Sequence, residues 1–430
     1  MTTTNASYKD SGIAWIGQIP EAWKVKRLKY IAHIETGYTP PKADPENYSE
    51  TWIPRIKPDN LNELEYLIDS SEKISEKWLE RNSIIQKDDI MVCCIGSVGK
   101  MWVAWCALTF NQQINGVIFN SEVSKWFWKF LILASQEEHL QSSQSVVLPI
   151  LNKTKQSNIS FPLPPLPTQT AIASYLDTKT TQISEFITKK KQLISFLQEQ
   201  KQAIIHQAVT KGIDLSAKMK DSGIVWIGQI PEGWEVRRLK MLSNIKRWAS
   251  PRPIDDKKYF DENGEFAWVR ISDVTASDMY LLETEQQLSE LWASLSVKQY
   301  PWDLFLSIAW SVWKPIITKI KCCIHDGFVT FWHISKKVDK MFLYYILASW
   351  LAYVWLGKEW TQLNLNIDTV WNITIPLPSI DIQKKLIQYI VDKNTKIDQA
   401  IDKIEQEIAL IEEYRTSLIY HAVTGKIIVQ

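Results

Sequence analysis

Asp10–Lys29 reads DSGIAWIGQIPEAWKVKRLK, and Asp221–Lys240 reads DSGIVWIGQIPEGWEVRRLK. Sixteen of the 20 positions are identical, the exceptions being 14/225, 22/233, 24/235 and 26/237, and the offset is 211. Fainter echoes follow at an offset of 214. Gly96–Lys100 (GSVGK) answers Trp310–Lys314 (WSVWK), Pro162–Pro164 (PLP) answers Pro376–Pro378, and Ala208–Thr210 (AVT) answers Ala422–Thr424. The chain is therefore one unit written twice. A duplicated unit predicts pseudo-twofold symmetry and suits a partner that itself has two parts.

Each copy divides into a mixed segment followed by a helical one. Residues 10–160 alternate short apolar runs with polar turns. Ile90–Ile95 (IMVCCI) reads as a buried strand ended by a turn at Gly96 and Gly99, and Leu304–Ala309 (LFLSIA) is its counterpart. Such patterning predicts α/β or α+β heads. Pro162–Pro167 (PLPPLP) is expected to break any sheet and lead in extended, with Thr168 capping the helical segment beyond it.

From Gln169 to Val209 there is neither Gly nor Pro. Leu176, Ile183, Leu197 and Ile204 fall on a seven-residue repeat that Lys190 interrupts, and Ile187 and Ile194 supply the other seam position. In the second copy Ile390, Ile397, Ile404, Ile411 and Leu418 are seven apart, with Ile401 and Ile408 between them, which is an a/d seam. Two helices of about 40 residues, each roughly 60 Å long and apolar on one stripe only, predict an antiparallel coiled-coil pair. Packing of each helix on its own head is the alternative. The expected order is a head at 10–165, a helix at 166–212, a head at 221–378 and a helix at 379–426.

Composition excludes several classes. A hydrophobic fraction of 45% belongs to a globular protein with real cores. No apolar run reaches the ~18 residues of a membrane span, and MTTTNASYKD lacks the regions of a signal peptide. The cysteines, 93, 94, 106, 322 and 323, form no CxxC, and adjacent cysteines in a strand face opposite ways. Reduced thiols in a cytoplasmic protein are expected. Net charge +1 argues against a basic coat for nucleic acid but leaves local patches, Lys24–Lys29 (KVKRLK) and Lys246–Lys258 (KRWASPRPIDDKK).

Trp is abundant at 21 and Gly scarce at 14, where ordinary usage would give about 30 Gly. The repeat locates the exchange, because Gly96 and Gly99 of one copy face Trp310 and Trp313 of the other. A tight turn with φ > 0 suits Gly and strongly disfavours Trp. The pattern is that of a gene whose UGA codons encode Gly but are written here as Trp. Trp248, Trp302, Trp310, Trp313, Trp360 and Trp371 are the first candidates, with Trp105 and Trp292 behind them. Trp15, Trp23, Trp226 and Trp234 recur in both copies and read as genuine. A chain truly rich in Trp is the alternative.

Taken together, the duplicated DSGIxWIGQIPxxWxVxRLK, the SVGK-type turn after a strand, the PLP before each long helix and the AVT ending resemble the specificity subunit of type I restriction–modification systems. The resemblance runs over roughly 10–426, with Trp310 and Trp313 departing from its Gly pattern. It implies a non-catalytic subunit whose two target recognition domains each read one half of a split site in double-stranded DNA. It also implies that the helical pair spaces the heads and docks two modification (methyltransferase) subunits. S-adenosylmethionine would sit on those, and ATP and Mg on restriction (translocase–nuclease) subunits, with no cofactor on this chain. The stretches 38–85 and 248–300 share little, as two different half-sites require. Two heads on one face of a duplex should lie near one helical turn apart, about 34 Å, or at another matched spacing.

Base edges are read by Arg, Lys, Asn and Gln, while Lys, Arg and main-chain N–H groups anchor phosphates. On that chemistry the first head offers Arg55, Lys57, Asn60, Lys100, Asn111, Gln112 and Gln113. The second offers Arg247, Arg252, Lys257, Lys258, Arg270, Lys314 and His325. Each is otherwise an ordinary surface or core-edge polar group.

Other functions fit less well. GSVGK is not a P-loop, which needs GxxxxGK[ST]. A free-standing methyltransferase should carry a Gly-rich cofactor loop and an Asn/Asp-Pro-Pro-aromatic motif, and neither is present. Asp59 and Glu63 are the nearest approach to a nuclease carboxylate pair, without an echo in the other copy. The histidines (33, 139, 206, 325, 333, 421) show no metal-ligand spacing. A coiled-coil scaffold with protein-binding heads explains the helices but not the basic segments.

Overall fold

A computed structural model describes residues 7–41, 43–58, 66–67, 70–76, 84–143, 149–247, 257–308, 313–349 and 367–429. Trp248, Trp310 and Trp360 lie outside these residues.

The repeated motif folds the same way twice. Tyr8–Asp10 pairs antiparallel with Gln18–Pro20, and Met219–Asp221 with Gln229–Pro231. The tip is set by DSG. The Asp10 carboxylate accepts from the Gly12 N–H at 3.0 Å, as Asp221 does from Gly223 at 2.9 Å, and both glycines have φ +71°. The apolar letters turn inward, since Ile16, Ile19, Ile227 and Ile230 are at most 2% exposed and Trp23 and Trp234 are buried with them. The motif then runs into Lys24–Arg27, which pairs with Ser160–Leu163, and in the second copy Glu235–Arg238 pairs with Thr374–Leu377. The prolines do not break this ladder as expected. Pro162 sits inside the strand opposite Val25, which is possible because a two-stranded ribbon leaves an outward edge where no N–H is needed.

Each head is built on two mixed sheets. The five-stranded sheet of the first head has the order 32–36, 114–119, 90–93, 101–104, 66–67, and that of the second 244–246, 328–332, 304–307, 315–318, 280–281. The order and the strand directions match. The four-stranded sheets agree at their centre and differ at the edges. Tyr48–Ser49 edges the first next to Lys73–Ile74, while Val297–Gln299 edges the second next to Cys322–Ile324. Divergence is thus concentrated in the smaller sheets. Adjacent cysteines face opposite sides as expected. Cys93 joins the core around Ile56 and Phe110, and Cys94 the larger core around Ile90 and Trp128. Burial pushes the Cys94, Cys322 and Cys323 thiols up to about 12.

The long helices span Leu166–Lys211 and Ile380–Val423. The first begins two residues before Thr168, so that residue is not its cap. Pro167 occupies the first turn, where its missing N–H is harmless. The chain divides into two compact units, 1–190 with 405–430, and 191–404, so each unit holds one head and half of each helix. In the first unit, Ile172 and Leu176 near the start of one helix share the head's core with Leu418 and Val423 at the end of the other. Lys190 and Glu407 pair at 2.6 Å farther along, so the two helical halves run antiparallel. In the second unit Ile205 and Val209 share a core with Leu386 and Ile390, and Lys201 pairs with Asp398. The interrupted seam places Lys190 partly exposed, where its ammonium reaches Glu407.

The motifs close each unit. Both helices end on a glycine with φ +76°, Gly212 and Gly425. A Cβ on Gly425 would lie 2.4 Å from Pro20 Cδ, and one on Gly212 3.3 Å from Trp234 Cζ2. Tyr8 Oη donates to the Gly425 carbonyl at 3.0 Å, and Tyr420 Oη to that of Trp15 at 2.9 Å. The first copy's motif is therefore seated on the last helix, and the second copy's on the first helix.

Two of the suspect tryptophans occupy left-handed backbone. Trp313 has φ +71° where its counterpart Gly99 has +86°, and Trp302 has φ +78° where Asp88 has +68°. By contrast Trp371 lies in the helix Ile367–Asn372, with Nε1 donating to the Ile245 carbonyl at 3.0 Å. Trp292 is fully buried in the helix Glu290–Leu295, with its ring edge-on to Tyr259 at 4.0 Å. No turn requires glycine at either position. Trp105 is 44% exposed under the Lys87 ammonium.

Candidate nucleic-acid interface

In the first head, Ile53–Ile56 and Thr109–Phe110 run parallel with Arg55 opposite Thr109. The segments that follow both strands, Lys57 and 111–113, therefore emerge together. A third segment crosses them at Gly37, where a Cβ would lie 2.2 Å from the Phe110 carbonyl oxygen, so only glycine fits.

The resulting cluster is tightly wired. Arg55 and Lys57 both donate to the Glu72 carboxylate. Arg55 also donates to Thr39 Oγ1 at 2.6 Å, and Thr39 in turn donates to Gln112 Oε1. Asn111 Nδ2 donates to Gln113 Oε1 at 2.8 Å, and its Oδ1 accepts the Gln113 N–H at 3.1 Å. The structure thus gathers five of the seven predicted residues of this head. It assigns them unequal places. Arg55 is 3% exposed and committed to Glu72 and Thr39, which leaves it almost no surface to offer a base edge. Asn111 is buried and shapes its own turn. Lys57 and Gln113 are half-buried, and Gln112 is exposed. Lys100 stands apart, half-buried after the Gly99 turn, with its carbonyl accepting the Cys93 N–H at 2.8 Å. Asn60, like Asp59 and Glu63, lies outside the described residues.

Partial burial pushes Glu72 upward, but the hydrogen bonds and charges of Lys57 and Arg55 outweigh it and hold the carboxyl below the usual glutamate value. A depressed carboxyl stabilises the fold above its ordinary value, and that contribution is lost as pH falls through the depressed one. Glu72→Gln should therefore cost the first head about 1.5–3 kcal/mol at neutral pH, because Arg55 keeps a buried charge without its counter-charge. Urea unfolding checks this, and the gap between native and variant should narrow as pH falls below the ordinary glutamate range, where Glu72 itself protonates.

In the second head Arg270 follows Phe266–Trp268 as Lys57 follows its strand, and donates to Glu285 at 3.2 Å and Gln286 at 2.6 Å. His325 stands where Asn111 does in the first copy and plays the same local part, Nδ1 accepting the Gly327 N–H at 2.9 Å. Its ring is packed against Phe328 at 4.8 Å, and burial pushes its pKa down over the opposing pull of Asp326. In the structure it shapes this turn. Lys314 is likewise turned inward, donating to the carbonyls of Thr275 (3.1 Å) and Ser277, with burial depressing its pKa. Arg247 and Lys258 are exposed. The former donates Nε to the Asp326 carbonyl at 2.7 Å, and the latter lies 4.7 Å over the Tyr259 ring. Arg252 and the side chain of Lys257 lie outside the described residues.

Sequence reasoning missed the partners Thr39, Glu72, Glu285 and Gln286. They stand 15–17 residues from the basic groups they hold, and only strand register brings them together. Part of the Lys24–Lys29 patch is also used internally, Lys26 on Glu122 and Lys29 on Asn158. Among the described residues no three His, Cys, Asp or Glu side chains gather as metal ligands would. No described helix is long and apolar enough to cross a membrane.

A family model described as the type I restriction modification DNA specificity domain matches residues 20–195 and 231–413, once per copy. The type I restriction enzyme MjaVIII specificity subunit of Methanocaldococcus jannaschii is 27% identical, over 95% of this chain and 94% of its own length. The EcoBI specificity subunit of Escherichia coli is 21% identical over 100% of this chain and 91% of its own. In fold, a chain solved in work on complex assembly and conformational transition of the type I R-M system superposes with a TM-score of 0.70, covering 95% of this chain and 99% of that one at 14% identity. The HsdS subunit from Thermoanaerobacter tengcongensis gives a TM-score of 0.50, covering 95% and 98% at 15% identity.

Proposed function

The chain belongs to the type I restriction–modification DNA specificity family, and from that premise we propose that its two heads each read one half of a split site in double-stranded DNA. It is a non-catalytic recognition subunit. The observation that carries the proposal is one frame folded twice with unlike small sheets, 48–49 edging one and 297–299 the other. A common scaffold with different reading surfaces is what an asymmetric two-part site needs. Lys57, Gln112 and Gln113 in the first head, and Arg247, Lys258 and Arg270 in the second, are the described side chains with the chemistry and exposure to meet bases or phosphates. Lys100, apart from that group, has the charge to anchor a phosphate.

The long helices serve as spacer and as dock for two modification subunits, which bring S-adenosylmethionine and methylate adenine. Restriction subunits, carrying ATP and Mg, join the same cytoplasmic assembly. No cofactor is assigned to this chain.

Co-expression with the cognate modification subunit, followed by methylome sequencing, tests the proposal. One split adenine motif is expected. Replacing residues 30–160 with those of a relative should change one half of the motif and leave the other intact. A continuous motif, or a swap that alters both halves, would refute it.

A further inference from the structure

Gln169 and Gln383 stand 214 residues apart, each in the first turn of a long helix. Both side chains are buried, at 1% and 0% exposure. Each spends its amide on the backbone of its own head. Gln169 Oε1 accepts the Ser124 N–H at 2.9 Å, and its Nε2 donates to the carbonyls of Glu122 at 3.2 Å and Pro164 at 2.9 Å. Gln383 Oε1 accepts the Asp339 N–H at 2.7 Å, and its Nε2 donates to those of Lys337 and Pro378, both at 2.8 Å.

The three points joined are the same in both copies. One is the turn leading into the head's apolar helix, Lys125–Ala134 or Lys340–Ala348. The second is the end of the strand that closes the head, and the third is the long helix. The neighbours differ in kind, Glu122 and Ser124 against Lys337 and Asp339, while the glutamine is the same. Only a side-chain amide presents one acceptor and two donors from one carbon. A carboxylate would face two carbonyls with no proton to give, and an apolar isostere would leave three backbone groups unpaired inside the protein.

We propose that Gln169 and Gln383 are positioning residues that fix the angle of each head on its long helix, and so the spacer length between half-sites. The inference rests on the heads being half-site readers. The pinned elements are the base of each head, whereas the polar cluster of the first head lies on its sheets, so loss of the amide changes where a head points and not which bases it reads.

The test uses the full chain co-expressed with its modification subunit, native or carrying Gln169→Leu or Gln383→Leu. Both variants should keep the bases of both half-sites. The ratio of methylation at spacers one base pair longer or shorter to that at the native spacer should rise about tenfold. Either variant holding a single spacer as strictly as the native complex overturns the proposal. Hydrogen exchange on the purified chain gives a second reading that does not need DNA. Gln383→Glu should speed exchange of the amides at 337–341 and 379–383 alone, and acceleration throughout the second unit, or none, also overturns it. A native complex with no split motif defeats the half-site reading instead, whatever the exchange result.

Discussion

Gly425→Val should destabilise the first unit by about 3 kcal/mol, combining ~1–2 for a side chain in left-handed backbone with ~1–3 for overpacking. Gly425 has φ +76°, and its missing Cβ position lies 2.4 Å from Pro20 Cδ, 2.8 Å from Pro20 Cγ and 3.0 Å from the Trp23 ring. None of these atoms can retreat, because Pro20 is in a paired strand and Trp23 is buried. Gly12→Ala is the control. Its φ is +71° but nothing lies within 4 Å of the added carbon, so only the backbone cost of about 1 kcal/mol is expected. Thermal melts with hydrogen exchange separate the two. The valine variant should lose protection in Tyr8–Trp23 and 418–425 first, and equal effects at 12 and 425 would show that packing against the motif contributes nothing.

The second large effect runs the other way. Trp302→Gly should stabilise the chain as written by about 1 kcal/mol, since relief of ~1–3 kcal/mol of backbone strain exceeds glycine's ~0.5–1 entropy cost and the ~0.5 lost with the Lys319 ammonium over the indole. Trp302 is 53% exposed and gives up little buried surface. At Trp313 the indole is 7% exposed, so its lost burial offsets more of the relief. The informative comparison is Trp302→Ala, which removes the ring but keeps the Cβ in left-handed backbone and should gain nothing. Peptide mass spectrometry of protein from its natural source should find glycine at 302 and 313. Tryptophan there, together with Ala equal to Gly at 302, would end the recoding account.

These two positions show what kind of information was legible in the sequence. The repeat paired Gly99 with Trp313 before any backbone angle was known, and the left-handed φ at both explains why glycine belongs there. The Ile390–Leu418 seam and the twice-written motif were equally plain, because periodicity and repetition are local signals. The candidate site was less so. Arg55, Lys57 and Gln112 lie in one hydrogen-bonded cluster, yet nothing near Arg55 in the sequence tells that it is buried on Glu72. That depends on Arg55 N–H bonding the Glu72 carbonyl at 2.8 Å, a register fixed by the whole sheet. Pro162 misled for a related reason, since whether proline breaks a strand depends on which edge it faces.

The seating of Tyr8–Pro20 on the closing helix has a genetic consequence. Where a polypeptide starts and stops usually constrains its folding order, yet here the opening segment is completed by the final one, just as Met219–Pro231 is completed by the helix before it. Which copy comes first thus carries no information for the fold of either unit. A rearranged gene that begins within the 213–217 connection and links residue 429 back to residue 7 through a short tether should encode the same two folded units.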